Sequence, residues 1–134
     1  MRSLKSHEIE SLVREAMEAR DQAYAPHSHF YVGAALLVED GTLYRGCNVE
    51  NASYGLTLCA ERTAAAAAVA AGHRSWRAVA IASVGGVTPC GACRQFLAEF
   101  GTDVPILCVD TVSGKRTQFH LGKLLPDVFA FEEL

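Results

Sequence analysis

The sequence predicts an α/β protein, a three-layer α/β/α sandwich built on one mixed five-stranded sheet. Three observations carry that expectation. Helix-like and strand-like runs alternate in the order α-β-β-α-β-α-β-β-α. A helical run lies between two apolar strand-like runs in the second half of the chain, which is the pattern of a βαβ unit with parallel strands. The two direct strand-to-strand links, at Asp40-Gly41 and Thr111–Gly114, are so short that they allow only antiparallel neighbours.

From His7 to Ala25 the apolar residues Ile9, Leu12, Val13, Ala16, Met17, Ala23 and Tyr24 recur at helical spacing, with Ser6 as N-cap and Pro26 beyond the end. Val32–Glu39 and Thr42–Cys47 read as strands around Asp40-Gly41, a dipeptide suited to a two-residue hairpin turn that needs positive φ. Asn48–Gly55 is a turn-rich connection, and Leu58–Ala71 is an alanine-dominated helix stopped by Gly72. Ala78–Val84, Gly91–Phe100 and Val104–Asp110 form the strand, helix and strand of the βαβ unit. A short link, Thr111–Gly114, leads into a final strand over Thr117–Leu121, and Leu124–Phe129 reads as a short terminal helix.

The 134 residues suit a single domain over 1–134 with a sizeable core of its own. The net charge of −3, with no dense Lys/Arg run, argues against a polynucleotide partner and favours a small substrate. No apolar run approaches the roughly 20 residues that span a bilayer, and Met1 to Glu8 is polar where a signal peptide is apolar, so a cytoplasmic location with no membrane partner is expected. Five cysteines cannot all pair within the chain, and Cys90-Gly-Ala-Cys93 reads as metal or redox chemistry in a reducing compartment.

Two expected helices begin with cysteines, at Cys59-Ala60-Glu61-Arg62 and at Cys90-Gly91-Ala92-Cys93-Arg94. Free N–H groups and the positive dipole end at a helix N-terminus favour the thiolate that binds metal. Cys59, Cys90 and Cys93 together supply three ligands, and zinc with three protein ligands keeps its fourth tetrahedral position for water. Glu61, two positions after Cys59, can face that water without ligating the metal, which makes it the natural proton carrier. Arg62 and the helix termini offset the negative charge of the thiolates. Cys47 and Cys108 fall in predicted strands and read as core, and none of the five histidines has ligand spacing to a partner. A lone Cys-x-x-Cys also suits a structural zinc or a dithiol centre; the combination with Cys-Ala-Glu is far more specific.

With these motifs in place, the chain closely resembles the small, homotetrameric zinc-dependent cytidine deaminases. The likeness runs through Val32-Gly33-Ala34-Ala35, Gly46-Cys47-Asn48-Val49-Glu50-Asn51-Ala52-Ser53-Tyr54-Gly55, Cys59-Ala60-Glu61-Arg62-Thr63-Ala64, Pro89-Cys90-Gly91-Ala92-Cys93-Arg94-Gln95 and Leu124-Leu125-Pro126. It implies hydrolytic deamination of free cytidine and 2′-deoxycytidine with one zinc ion per subunit, in a homotetramer with active sites at subunit interfaces. It further implies that Asn48 and Glu50 hold the sugar 3′-hydroxyl and that Phe30 lies beside the pyrimidine. Ala60 is implied to contact the base through its N–H, Tyr54 to line the interface edge of the pocket, and Phe129 to stack on the base in a neighbouring subunit. Arg62 and Gln95 are implied to support the thiolates. Tyr24-Ala25-Pro26-His27-Ser28 departs from the family's common Tyr-Ser-Pro-Tyr-Ser at the pocket entrance. A blasticidin-S-type deaminase shares the three-cysteine site and is the nearest alternative; a non-catalytic zinc-stabilised binding module is a more distant one.

Overall fold

The computed structural model describes residues 3–131. Met1 and Arg2 of the polar N-terminus, and the last three residues of the expected 1–134 domain, lie outside the described residues. The expected sandwich is present. A five-stranded sheet in the order β2-β1-β3-β4-β5 comprises β1 (Gly33–Val38), β2 (Leu43–Cys47), β3 (Trp76–Ser83), β4 (Pro105–Asp110) and β5 (Arg116–His120). β3 and β4 pair in parallel, as a βαβ unit requires, and the other neighbours are antiparallel. Among the described residues no helix is long and apolar enough to cross a membrane.

Helix α1 (Ser6–Arg20) covers one face, setting Leu12, Val13 and Ala16 against Ala35, Leu37, Ala80 and Leu107. Helices α2 (Ala60–Ala70), α3 (Gly91–Ala98) and the single turn α4 (Leu121–Leu124) cover the other, around Leu36, Ile81, Leu97 and Ile106. Alternate residues of β1 and β3 feed the two cores, because strand side chains alternate between faces. Both strands are therefore buried along their whole length.

Several boundaries differ from expectation, each for an identifiable reason. α1 stops at Arg20 rather than Ala25, since the backbone of Tyr24 is committed elsewhere: its N–H donates to the Asn48 carbonyl at 2.9 Å, and its carbonyl accepts from the Glu50 N–H at 2.8 Å. Its N-cap is Lys5, not Ser6, with the Lys5 N–H donating to the Glu8 carboxylate at 2.9 Å. The hairpin loop holds three residues, with Val38 N–H donating to the Thr42 carbonyl and only Gly41 at positive φ (92°). That is the three-residue loop with a glycine bulge, not the two-residue turn.

β3 begins at Trp76, two residues early, because buried Arg77 is neutralised by Glu8 of α1. The terminal helix expected over Leu124–Phe129 is instead the turn Leu121–Leu124. Pro126 forces the preceding Leu125 out of the helical region, to φ −139° and ψ 76°. Phe129 accordingly sits in a non-helical segment.

Candidate active site

Cys59 is the N-cap of α2 and Cys90 the N-cap of α3, both extended, while Cys93 occupies the first turn of α3 and is fully buried. Their sulfurs all lie within 4.8 Å of one another, with Cys59 and Cys90 Sγ 4.0 Å apart. Among the described residues this is the one cluster of three or more groups suited to a metal ion. Arg62 extends toward it from the next position of the α2 turn: Nη2 donates to Cys59 Sγ at 3.6 Å and to the Thr57 carbonyl at 3.3 Å. Its Nε is buried with no hydrogen-bond partner among the described residues.

The Cys93 thiol, hydrogen-bonded to Cys59, and then the Arg62 guanidinium draw Cys59 down to about 5. Cys93 is driven strongly upward, by its bond to Cys59 first and by burial second. One proton leaves easily and the next is held, because neighbouring thiolates repel. A dication relieves that conflict. Tetrahedral zinc with Zn–S bonds of about 2.3 Å spaces its sulfurs about 3.8 Å apart, close to the 4.0 Å between Cys59 and Cys90 Sγ.

Glu61 lies in the first turn of α2, only 5% exposed, and burial pushes its carboxyl above the usual range, with the Cys59 thiolate adding to the effect. It shares the lining of a cavity of about 200 Å³ with Cys59, Cys90, Ala60, Asn48 and Phe30, closed by apolar Val32 and Ile81. A more open cavity of about 300 Å³, lined by His27, Ser28, Glu50 and Tyr54, adjoins it at Thr57, which lines both.

Glu50 is locked in the outer cavity. Its carboxylate accepts from the His27 N–H at 2.9 Å, the Ser28 N–H at 3.1 Å and the Ser28 hydroxyl, and the Ser28 bonds lead in holding it below the usual carboxylate range. Asn48 is tied to the chain on both sides of its amide: Oδ1 accepts from the Val32 N–H at 2.9 Å and Nδ2 donates to the Phe30 carbonyl at 2.8 Å. It is 8% exposed and keeps one amide hydrogen uncommitted by these bonds. Tyr54 stands at the rim, edge-on to His27.

Two further expected site residues meet at the C-terminal segment. Phe129 is exposed, packs against Phe131 and lines neither cavity of its own chain. Gln95 donates to the Phe129 carbonyl at 3.2 Å, which ties α3 to the C-terminal segment.

Over residues 6–108 the chain matches the model of the family described as the cytidine and deoxycytidylate deaminase zinc-binding region. The chain belongs to that family. A protein named cytidine deaminase from Sporosarcina psychrophila is 48% identical over 129 residues, covering 95% of each chain. The crystal structure of cytidine deaminase from Burkholderia pseudomallei superposes with a TM-score of 0.86 at 45% identity, over 94% of this chain and all of that one. That of the Mycobacterium tuberculosis cytidine deaminase gives a TM-score of 0.79 at 43% identity, over 92% and 98% of the two chains.

Sequence reasoning missed three residues that shape this deaminase-family site. Thr57 joins the two cavities, and Ser28 holds Glu50. Thr63 donates to the Cys47 and Ala60 carbonyls, both at 2.9 Å, fastening the first turn of α2 to β2. The sequence-level signals for them are place alone: Thr57 and Thr63 flank the Cys59-Ala60-Glu61-Arg62 run, and Ser28 ends the Tyr24-Ala25-Pro26-His27-Ser28 segment.

Proposed function

We propose that this chain hydrolyses free cytidine and 2′-deoxycytidine to uridine and 2′-deoxyuridine with release of ammonia, as one deaminase domain over 1–134 with one zinc ion per subunit on Cys59, Cys90 and Cys93. The observation that carries the proposal is one small, largely apolar cavity lined by a buried carboxyl, Glu61, and by Cys59 and Cys90 of the three-sulfur cluster, with Cys93 buried behind them. Zinc, when bound, supplies Lewis acidity that makes water a nucleophile near neutral pH. Glu61 accepts a proton from the attacking water as oxygen adds to C4 of the pyrimidine and passes it to the ring nitrogen. It then delivers the second proton to the departing amine, so that ammonia leaves and the carbonyl of uridine forms. Its raised affinity for protons suits a group that must hold one between steps.

Phe30, Val32 and Ile81 give a flat base its apolar walls. The N–H of Ala60, in the first turn of α2, has no intrahelical acceptor and is available to the base. The sugar extends toward the outer cavity, where Glu50 accepts from the 3′-hydroxyl and Asn48 offers its remaining amide hydrogen. A ligand lacking that hydroxyl leaves the remaining amide hydrogen of buried Asn48 without a partner, which opposes its binding. Tyr54 and Phe129, 75% and 66% exposed, belong in this reading to the contact between copies of a cytoplasmic homotetramer, with Phe129 stacking in the neighbour's site. Arg62 supports the thiolates through Cys59.

The test is ammonia release and absorbance loss with cytidine, alongside bound zinc. Glu61→Gln is expected to retain zinc while losing at least about 10²-fold in turnover, the lower range for a positioned acid–base group. Near-normal turnover in that variant would sink the assignment. Faster turnover of blasticidin S than of cytidine would move the substrate away from a ribonucleoside.

A further inference from the structure

Arg94 follows Cys93 in α3, and its guanidinium folds back over the start of its own helix. Nε donates to the Pro89 carbonyl at 2.8 Å, Nη2 to the Thr88 hydroxyl at 3.1 Å, and Nη1 to the carbonyl of Leu124 at 2.8 Å. The first two acceptors lie in the loop that leads to Cys90, and Thr88 itself lines the deep cavity. The third is the last residue of α4, where the chain turns into the segment leading to Phe129. One planar cation thus spans a cavity wall and the C-terminal segment. Lysine, with a single ammonium on a flexible stem, cannot reproduce that fork.

We infer that Arg94 is a positioning residue that locks the Thr88-Pro89 wall of the substrate cavity to the C-terminal segment, so that substrate affinity depends on the seating of α4. This rests on the reading of that cavity as the nucleoside site. The acceptors are neutral oxygens bound by a charged donor, the stronger class of hydrogen bond. Loss of the fork frees the wall without touching Glu61, so the effect falls on binding. A residue that merely stabilised the fold would lower the active fraction and leave KM unchanged.

The experiment compares wild type, Arg94→Lys, Thr88→Val and Thr88→Ser, measuring KM and kcat with cytidine and hydrogen exchange along the chain. Arg94→Lys is expected to raise KM about tenfold with kcat of the zinc-loaded enzyme within about threefold. The hydrogen-bonded amides of Gly86 and Val87 in the first segment and of Leu125 in the second should lose protection together while those of β3 and β4 keep theirs. Thr88→Val, which removes one acceptor, should raise KM by a smaller factor than Arg94→Lys, and Thr88→Ser, which keeps the acceptor, by a smaller factor than Thr88→Val. An unchanged KM in both Arg94→Lys and Thr88→Val, or loosening of only one of the two segments in Arg94→Lys, overturns the inference. If wild type does not deaminate cytidine, the proposed function fails; the paired change in exchange then decides the inference by itself.

Discussion

Gly46 of β2 faces α2, and the space there is closed. A Cβ added at this position would lie 2.3 Å from the Ala64 nitrogen, 2.4 Å from the Ala60 carbonyl oxygen and 2.5 Å from Thr63 Oγ1. Two of these are backbone atoms, which cannot rotate away, and ordinary contact begins near 3.4 Å. Gly46→Ala must therefore push α2 off the sheet by about 1 Å. Overpacking of this kind costs about 1–3 kcal/mol, equivalent to a fall in Tm of roughly 3–10 °C for a domain of this size.

The larger effect is expected on the chemistry, because the displaced helix carries Cys59 and Glu61 while Cys90 and Cys93 stay on α3. A misplacement of about 1 Å costs on the order of 10²-fold in rate. Gly33→Ala is the control: its Cβ would meet Ala16 O at 2.0 Å and Arg20 N at 2.4 Å, displacing α1 on the opposite face. It should lose comparable stability with kcat of the folded fraction within about threefold of wild type. Thermal unfolding and kcat per bound zinc are the measurements. Gly46→Ala with wild-type kcat, or Gly33→Ala with an equal loss of kcat, would refute the reasoning that the seat of α2 on β2 sets the site.

Glu8 is held at about 2 by the Arg77 guanidinium first and the Lys5 N–H second, well below its usual 4.5. A carboxylate whose folded pKa is depressed stabilises above its unfolded pKa and loses that contribution as pH falls toward the folded one. The Tm difference between wild type and Glu8→Gln should accordingly be constant above about pH 4.5 and close between pH 4.5 and 2; a difference unchanged over that range refutes the pairing. Leu36→Ala, at a fully buried position of β1, should cost about 2–5 kcal/mol, read as a lower denaturant midpoint at constant m. Chelation of zinc should lower Tm as well as abolish turnover, since the sulfurs join two helices, and re-addition at 1,000 times Kd should restore about 4 kcal/mol. Wild-type Tm in the apoprotein would show that the sulfurs do not share an ion.

The sheet and its helices were legible because their signals are local. Period-2 and period-3.6 patterns, the short Thr111–Gly114 link and the helix between two apolar runs each constrain one neighbour pair. What escaped was set by distant partners. Nothing in the pattern of His7–Ala25 says that the Tyr24 backbone will be taken by Asn48 and Glu50, yet that pairing ends α1 and delivers His27 and Ser28 to the Glu50 carboxylate. The strand expected from Ala78 begins at Trp76, and the sequence does not reveal that Glu8 of α1 waits to pair with Arg77. Gln95 sits beside a metal motif in sequence, but its side chain leaves α3 on the side of the C-terminal segment.

The convergence of Cys59 and Cys90, 31 positions apart in the chain, has the same kind of cause. β1 pairs antiparallel with β2 on one side and with β3 on the other, so β2 and β3 run in the same direction. Each is followed by a loop and then a helix, so α2 and α3 start at the same end of the sheet and on the same face. Their N-terminal turns, with free N–H groups and positive dipole ends, are thereby aimed into one crevice, where negative sulfur is favoured. The motifs name the ligands; it is the central place of β1 that makes two sets of them one site.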